Sequence, residues 1–315
     1  MTSLAIIIVN YRSARLVGEL LESIAGRGDG WAGRIIVVDN ASRDGSVEAL
    51  RSKVAELGIG DRAEVLDSER NDGFGAGNNF GAAAALRSTP RPEVLWFLNP
   101  DTLVDGVDLE HALAWFETDP EVGVVGTGLD NGSGKRELGG HRDIAPLSEF
   151  VGTGGAFRVL GRHAVSHSEL DRPGLVDWVS GASLMMRASA FVDIGGFDEN
   201  FFLYFEEVDL CRRAREQGWG VVYEPRVRIV HLEGQTTGVE DSQPRPRYWY
   251  ESRRRYFVKH FGVMGLLGAD VAWAFGRVVG VLRGRRRDGC RWRDIWRCDR
   301  PVLLGRGCPG EEARA

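Results

Sequence analysis

The stretch Arg34-Ile-Ile-Val-Val-Asp-Asn-Ala-Ser-Arg-Asp-Gly-Ser46 joins a continuous apolar run to a polar turn that contains glycine. An earlier run, Leu4–Val9, has the same character and also ends in polar residues. Such runs are typical of strands that are covered on both faces of a parallel sheet. Because the carboxyl ends of parallel strands meet at one edge, ligands bind there. The polar residues after these two runs are therefore candidates for a binding site.

Further apolar runs alternate with helical patterns through the first 125 residues. Val94–Leu98 predicts another buried strand, and the spacing of apolar residues in Leu109–Phe116 predicts a helix. Ser13 is placed to cap the helix after the first strand. Asn71–Asn79 is rich in Gly and Asn, which predicts a turn, and an alanine-rich helix should follow over Phe80–Leu86. The alternation predicts an α/β fold with a mostly parallel sheet flanked by helices.

The second half of the chain is less regular. Residues 130–175 are rich in Gly, His and Arg and predict an irregular insert. We expect a helix over Glu206–Gly218, a short strand over Gly220–Tyr223 and His231 in the loop that follows. Tyr248–His260 predicts an aromatic and basic helix near the end of the chain.

Composition excludes several classes of protein. With 43 % hydrophobic and 27 % charged residues, the chain is neither disordered nor collagen-like. A net charge of −5 argues against nucleic-acid binding, although residues 245–300 hold fifteen Arg or Lys against five acids. The four cysteines form no CxxC pair and are too few for a disulfide scaffold, which argues against a zinc ribbon and against a disulfide-rich protein. We therefore expect a reducing, cytoplasmic compartment. The first apolar run has the length of a strand and is not expected to be a signal peptide.

Two pairs of residues are candidates for chemistry. Asp101 follows a buried strand, where a carboxylate is costly unless it is paired or bound to a metal. Together with His231 it would suit Mg²⁺ or Mn²⁺, which take their other ligands from phosphates and water. Glu206 and Glu207 begin a predicted helix after an aromatic run, and a carboxylate in such surroundings can act as a general base. The alternative interpretations are a turn-capping aspartate, a surface histidine and acids that cap a helix dipole.

The segment Gly73-Phe-Gly-Ala-Gly-Asn78 is similar to a turn that cradles phosphate. Its spacing differs from GxGxxG, and it follows the third strand rather than the first. The segment and the βαβ start suggest a nicotinamide-dependent oxidoreductase as an alternative, but that class carries GxGxxG after the first strand, where this chain has Asn10-Tyr-Arg-Ser-Ala-Arg15.

Eight motifs in a fixed order carry a resemblance to a known family. In chain order they are Ile8-Val-Asn-Tyr-Arg12, Val37-Val-Asp-Asn-Ala-Ser-Arg-Asp-Gly-Ser46, Asn71-Asp-Gly-Phe-Gly-Ala-Gly-Asn-Asn79, Leu98-Asn-Pro-Asp-Thr102, Val179-Ser-Gly-Ala-Ser-Leu-Met-Met-Arg187, Gly195-Gly-Phe-Asp-Glu199, Phe205-Glu-Glu-Val-Asp-Leu-Cys-Arg-Arg213 and His231-Leu-Glu-Gly234. The set resembles the rhamnosyltransferase-like branch of the family 2 glycosyltransferases and covers about residues 4–262. The resemblance implies a GT-A fold, which is a Rossmann-like, mostly parallel sheet flanked by helices, here with a C-terminal helical extension.

The resemblance also implies a domain organisation. The GT-A catalytic domain would occupy residues 1–244, with a nucleotide-binding half at 1–127 and an acceptor and catalytic half at 128–244. A helical segment at 245–290 and a tail at 291–315 would follow.

Roles for individual residues follow from the same resemblance. The residues expected to contact the nucleotide are Asn10, Tyr11, Asp39, Asn71, Gly73, Asn78 and Asn99. Gly181 and Ala182 would lie beside the donor sugar. Asp101 and His231 would hold Mg²⁺ or Mn²⁺.

The implied activity is an inverting, metal-dependent transfer of a sugar from a nucleotide-sugar donor, with dTDP-L-rhamnose as the best candidate. Glu207 occupies the position of the aspartate base of the family, and Glu206 is the alternative base. The acceptor would be a hydroxyl of a glycan or of a polyprenyl-diphosphate-linked saccharide in cell-wall or polysaccharide biosynthesis. Other UDP-, dTDP- or GDP-sugars, a secondary-metabolite acceptor, and a catalytically silent nucleotide-sugar-binding protein are the alternatives.

The apolar stretch Val263–Leu282 is long enough to cross a bilayer, but Asp270 and Arg277 within it argue against crossing. A helix that lies at the cytoplasmic face of the membrane fits better, giving peripheral contact through residues 263–287. A helix that merely packs on the protein, with a solvated basic end, is the alternative.

Within this segment we expect two anchoring side chains, Trp273 and Phe275. The basic run Arg283–Arg287 would lie on anionic headgroups.

Overall fold

The computed structural model describes residues 2–26, 33–137, 139–154, 172–232, 245–283 and 292–304. These residues form two compact units. The first unit contains the described residues of 1–141, 172–202 and 206–232, and the second contains 142–154, 203–205, 245–283 and 292–304. The β-strands all lie in the first unit.

The strands are, in chain order, β1 Leu4–Asn10, β2 Gly33–Asp39, β3 Ala63–Asp67, β4 Val94–Leu98, β5 Thr102–Leu103, β6 Val122–Asn131, β7 Arg136–Glu137, β8 Gly140–His141, β9 Gly174–Leu175, β10 Trp178–Val179, β11 Ser183–Arg187 and β12 Gly220–His231. The helices are α1 Ala14–Ala25, α2 Ser46–Glu56, α3 Phe74–Leu86, α4 Glu110–Thr118, α5 Pro146–Gly154, α6 Ala188–Asp193, α7 Glu206–Glu216, α8 Arg247–Leu282 and α9 Trp292–Leu303.

One large sheet organises the first unit, with strand order β3-β2-β1-β4-β11-β6-β12-β5. β1 to β4 run parallel to one another, β12 runs parallel to β6, and β11 and β5 run antiparallel to their neighbours. Successive side chains of β4 enter opposite cores: Trp96 and Leu98 pack in one apolar cluster, and Leu95 and Phe97 in the other. A strand covered on both faces must be apolar throughout, which confirms the prediction made from the continuous runs.

The glycine-rich segment begins a helix, so the prediction of a turn over Asn71–Asn79 with a helix starting at Phe80 was wrong. α3 starts at Phe74. A Cβ added at Gly77 or Gly81 would lie 2.9 or 2.7 Å from side-chain carbons of β1. Glycine at these positions, one helical turn apart, lets the helix lie directly on the sheet. This packing outweighs the low helix propensity that predicted a turn.

Strand β12 is also longer than predicted. β12 continues past Tyr223 through an irregularity between Glu224 and Arg228 and ends at His231. His231 therefore terminates a strand and does not lie in a loop. The polar residues at the irregularity interrupt the apolar pattern, which is why the sequence predicted an early end.

Three smaller predictions also differ from the structure. Ser13 lies at the N-cap position of α1, but its hydroxyl donates to Asn10 Oδ1 (3.0 Å) and makes no capping hydrogen bond. The described residues of the expected irregular insert include β7, β8 and α5. The expected tail from residue 291 contains α9. Short strands such as β7 form only because the edge of β6 is there to pair with, so no local pattern predicts them.

The second unit is helical, and α8 is its longest element. Two helical segments of α8 meet at a kink at Gly262, whose φ of 69° and ψ of −179° are not helical. Among the described helices, α8 is long and apolar enough to cross a membrane by length and composition. Trp273 is only 3 % exposed and packs against Tyr250 and Ile295, so the prediction that it is a membrane anchor was wrong. α9 covers this side of α8, and a single sequence pattern does not show which side is covered.

A buried arginine joins the three helices of the second unit. Arg253 is 1 % exposed, and its guanidinium lies 2.9 Å from Asp270 Oδ1, 3.2 Å from Asp299 Oδ2 and 3.5 Å from Glu149 Oε2. Burial, followed by the charge of Asp270, raises the pKa of Asp299 to about 8. We refer to these four residues as the Arg253 cluster.

Candidate active site

The candidate residues of the first unit share one edge of the sheet because of strand register. Asn10 is paired with Asp39 at the carboxyl ends of β1 and β2. Leu98, the last residue of β4, is paired with Ser183, the first residue of β11. The segments before β11 and after β4 therefore meet at the edge where β1 and β2 also end.

Backbone strain is concentrated in the segments after β1 and β2 and in the segment just before α7. Five described non-glycine residues have a positive φ, and they are Arg12, Ala41, Arg43, Tyr204 and Phe205. The first three follow β1 and β2, and the last two immediately precede Glu206 in the chain. Positive φ is costly for residues with a Cβ and is found most often where a site requires it.

At the ends of β1 and β2, a hydrogen-bond network holds Asp39. Asn10 Nδ2 donates to Asp39 Oδ1 (2.5 Å), and Ser42 Oγ donates to the same oxygen (2.6 Å). The Ser42 N–H donates to Oδ2 (2.9 Å), which leaves that oxygen one further acceptor position. Asp39 is 1 % exposed, so its carboxylate fixes the loop after β2. Tyr11, in contrast, is exposed on the loop after β1.

Asn40 follows Asp39 in the polar turn after β2 and was given no individual role in the prediction. Its Nδ2 donates to the Gly73 carbonyl (2.9 Å) and to Asn71 Oδ1 (3.3 Å). It thereby ties the loop after β2 to the start of α3. Asn78 is also buried, with its Nδ2 donating to the Phe74 carbonyl (3.0 Å) and its Oδ1 making no hydrogen bond among the described residues.

Gly73 has a structural role in the observed fold. Its φ is 105°, and a Cβ there would lie 2.3 Å from the Phe202 carbonyl oxygen. The next N–H, that of Phe74, donates to the same oxygen (2.9 Å). The proposed phosphate-cradling turn is therefore the tightly packed first turn of α3, and contact of Gly73 with a nucleotide stays a prediction.

Pairing of β5 with β12 brings together the two residues predicted to hold a metal. Thr102 is paired with His231, so Asp101 lies beside the imidazole, with Oδ1 3.5 Å from Nε2. Glu137 was not predicted: its Oε2 lies 3.1 Å from His231 Nδ1, because β7 and β12 both pair with β6. No sequence signal identified Glu137, since β7 has only two residues.

His231 is held as a cation by its two carboxylate neighbours. Burial alone would lower its pKa, but the hydrogen bonds and charges of Asp101 and Glu137 raise it to about 9. A metal ligand must be a neutral imidazole, so a bound cation would have to displace this proton.

The donor set at Asp101 and His231 fits a cation that takes most of its ligands from elsewhere. No group of three or more metal-ligating side chains is found among the described residues. Mg²⁺ and Mn²⁺ in phosphate-binding enzymes use one or two protein ligands and complete their shell with phosphate oxygens and water. A carboxylate with an adjacent imidazole suits that role, and Glu137 would orient the imidazole through its other nitrogen.

Glu206 and Glu207 begin α7, but only one of them is accessible. Glu206 is 4 % exposed, whereas Glu207 is half-buried. The Oε2 atom of each is sealed from solvent and makes no hydrogen bond among the described residues. Burial raises the pKa of Glu207 to about 7, and burial followed by the charge of Glu207 raises that of Glu206 well above its ordinary value. The pKa of Glu207 is therefore close to that of a general base that works near neutral pH.

Gly181 connects this carboxylate to the rest of the edge. A Cβ at Gly181 would lie 3.5 Å from Glu207 Cβ and 3.9 Å from its Cδ, so the two residues are in contact. Next to it, the Ala182 carbonyl accepts a hydrogen bond from the Asn99 N–H (3.0 Å), two residues before Asp101. The structure thus places the predicted base against the predicted donor-sugar residue Gly181 and ties Ala182 to the segment that leads to Asp101.

A separate cavity of about 890 Å³ opens at the amino end of β4, next to Arg91, Glu93 and Arg187. None of the predicted site residues lines it.

Sequence comparison finds relatives of known activity. The chain is 29 % identical to the low-salt glycan biosynthesis hexosyltransferase Agl10 of Haloferax volcanii over 215 residues, which is 68 % of this chain and 62 % of that protein. It is 28 % identical to the N-acetylglucosaminyl-diphospho-decaprenol L-rhamnosyltransferase of Mycobacterium tuberculosis over 229 residues, 65 % of this chain and 68 % of the relative. A pre-mycofactocin glycosyltransferase of the same species is 30 % identical over 80 % of this chain and 52 % of its own length.

Solved structures share the fold at low identity. The mannosyltransferase PcManGT of Pyrobaculum calidifontis, in complex with GDP-Man and Mn²⁺, superposes with a TM-score of 0.56 and 17 % identity, covering 89 % of this chain and 74 % of that one. GalNAc-T7 with UDP, GalNAc and Mn²⁺ gives a TM-score of 0.58 and 14 % identity, covering 98 % of this chain and 59 % of that one. These neighbours confirm the predicted GT-A fold.

The family is shown by a match to a family model. The model of the glycosyl transferase family 2 matches residues 5–182, more than half of the chain. That range contains β1 to β4 and the Asp101 segment and ends at Ala182, beside the residue that contacts Glu207. The chain therefore belongs to glycosyl transferase family 2, as its resemblance to the rhamnosyltransferase-like branch predicted.

Proposed function

We propose that this glycosyltransferase transfers a sugar from a nucleotide-sugar donor to an acceptor hydroxyl in a single inverting step. The observation that carries the proposal is the Glu207 carboxylate, which lies against Gly181, has a pKa of about 7 and has one oxygen that accepts no hydrogen bond from the described residues. The best candidate donor is dTDP-L-rhamnose, and the acceptor is a glycan or a polyprenyl-diphosphate-linked saccharide. The Mycobacterium relative, whose name specifies an L-rhamnosyltransferase and a decaprenol-linked saccharide, supports both.

The nucleotide would lie over the ends of β1 and β2, where the Asp39 network and Asn40 fix the loops. Asp39 Oδ2 keeps an acceptor position for an N–H or O–H of the nucleoside. Exposed Tyr11 would cover the base. The donor sugar would lie at Gly181 and Ala182, where glycine leaves the space beside Glu207 open.

Asp101 and His231 would hold Mg²⁺ or Mn²⁺. A bound divalent ion supplies positive charge to the leaving diphosphate. His231 must give up its Nε2 proton to take part, and Glu137 would accept the hydrogen bond from its Nδ1.

The chemical step uses Glu207 as the base. Its carboxylate removes the proton of the acceptor hydroxyl while the acceptor oxygen forms a bond to the anomeric carbon. The bond from that carbon to the diphosphate oxygen breaks on the opposite face, and its electron pair leaves with the nucleoside diphosphate. Glu206 is fully interior, so Glu207 is the better candidate of the pair.

We place the reaction in the cytoplasm, at the face of the membrane where a polyprenyl-linked acceptor would be presented. The relative that is a pre-mycofactocin glycosyltransferase favours a second candidate, the same reaction on an acceptor that is not a glycan.

The proposal is tested by turnover with a panel of dTDP-, UDP- and GDP-sugars, with and without Mg²⁺ or Mn²⁺. We expect product with inverted anomeric configuration, and Glu207→Gln should lower turnover about 10²- to 10⁴-fold. Glu206→Gln is the matched control and should retain most of it. Equal losses in both variants would refute Glu207 as the base, and binding of donors without any turnover would establish the catalytically silent alternative.

A further inference from the structure

The second unit carries an exposed apolar face on the C-terminal half of α8. Six large side chains repeat at helical spacing on one side and are 40–81 % exposed: Met264, Leu267, Val271, Phe275, Val278 and Leu282. The opposite side of the same segment is buried, including Leu266, Ala269 and Trp273. This half of α8 thus has one side packed in the protein and one apolar side in solvent, where such a contiguous surface marks an interaction site.

The neighbouring helix extends this face with tryptophan and arginine. Trp292 and Trp296 of α9 are 48 % and 44 % exposed, lie one helical turn apart and stack with ring centroids 6.4 Å apart. Arg293 and Arg297 follow them at the same spacing and are exposed. Exposed tryptophans beside arginines are typical of helices at a membrane–water interface, where the ring lies at headgroup depth.

The charge of this region is complementary to an anionic surface. From Val271 to Arg283 no acidic residue occurs, and the basic run that begins at Arg283 continues in the sequence to Arg287. Of the acids near the face, Asp270 and Asp299 are buried against Arg253, and Asp294 at the start of α9 is partly buried between Arg293 and Arg297 in the sequence. A protein partner with an apolar groove would not need this cationic border, whereas a bilayer with anionic headgroups matches both parts.

We infer that the exposed side of Met264–Leu282, with Trp292 and Trp296, is a docking surface for an anionic lipid bilayer, on which α8 lies in the plane of the interface. The surface replaces the anchor pair expected from the sequence: Phe275 belongs to it, and Trp273 supports it from the buried side. Docking depends on the proposed function only for its purpose, which is to bring a lipid-linked acceptor to the enzyme.

The test is flotation of the full chain with vesicles of phosphatidylcholine alone or with a third of phosphatidylglycerol, without any substrate. We expect flotation with the anionic vesicles, weakened by salt, and a loss on the order of tenfold or more in Val271→Glu/Val278→Glu. Val192→Glu, at a 53 % exposed valine of the first unit, is the matched control and should float like the parent. Circular dichroism and turnover with a water-soluble acceptor should be unchanged in all three proteins.

Three results would overturn the inference. They are absence of flotation with anionic vesicles, equal flotation of the double variant and the control, and a dimer of the parent that the double variant converts to a monomer. The last result would identify the face as a contact between two copies. Flotation of the parent without turnover would contradict the proposed function alone.

Discussion

The two units differ in the surroundings of their buried carboxyl groups. In the Arg253 cluster, Asp270, Asp299 and Glu149 surround an arginine that supplies a countercharge within the chain. At the start of α7, Glu206 and Glu207 have sealed oxygen atoms with no hydrogen-bond partner among the described residues. Burying an unpaired acid costs free energy that folding must offset elsewhere. The first arrangement stabilises helix packing, and the second leaves Glu207 with the raised pKa that the proposed function requires of a base.

The largest expected effect comes from removing the countercharge. Arg253→Met leaves three acids in the interior of the second unit, and we expect its free energy of unfolding to fall by about 3–5 kcal/mol. Urea denaturation followed by tryptophan fluorescence measures this, because the unit contains Trp249, Trp273 and Trp292.

Arg247→Met is the control for this comparison. Arg247 makes an exposed pair with Glu251, and its loss should change stability by less than about 1 kcal/mol. Similar effects of the two substitutions would show that the Arg253 cluster does not act as a buried ion network.

The next effect is the pH dependence of turnover. In the proposed mechanism the carboxylate form of Glu207 is the active one, and burial raises the pKa of this group from 4.5 to about 7. At saturating divalent cation, turnover should therefore fall about tenfold per pH unit below about 7 and level off above it. Glu206→Gln should leave this limb in place. A profile that is flat from pH 5 to 8 would contradict the assignment of Glu207.

The smallest of the three expected effects is on the affinity for Mn²⁺. Here two carboxylates pair with His231, a side chain that a bound cation would also contact. Glu137→Gln weakens the acceptor for His231 Nδ1, and we expect Mn²⁺ affinity to fall about 10- to 100-fold. Electron paramagnetic resonance of free Mn²⁺ in a titration without donor measures this. Asp105→Asn, at an exposed loop position, should not change the affinity. Unaltered binding in Glu137→Gln would mean that Glu137 does not orient the imidazole.

How far the sequence predicts this molecule depends on whether a feature is local. The buried strands were predicted because a strand covered on both faces is apolar at every position, as in Leu4–Val9 and Val94–Leu98. The edge that carries Asp39 and Asp101 followed from parallel strand geometry. The acidic pair at the start of α7 was predicted from its residues, whereas the choice of Glu207 over Glu206 and the donor-sugar positions came only from the family resemblance and stay predictions.

The features that were missed depend on tertiary contacts. Gly77 and Gly81 lie in a helix because residues without a side chain let that helix pack directly against β1. Glu137 reaches His231 through a two-residue strand that exists only by pairing with β6. Trp273 is buried because α9, expected as a tail, packs over it. Each of these required knowledge of a partner far away in the chain.

The two-residue strand β5 determines when, during synthesis of the chain, part of the candidate site can form. It holds Asp101 against a histidine 130 positions later, and both glutamates of α7 also lie beyond the last residue of the family match. During synthesis on the ribosome, Asp101 emerges long before His231 and the two glutamates. The pair of residues predicted to hold a metal can therefore form only after β12 has been made and has paired with β5.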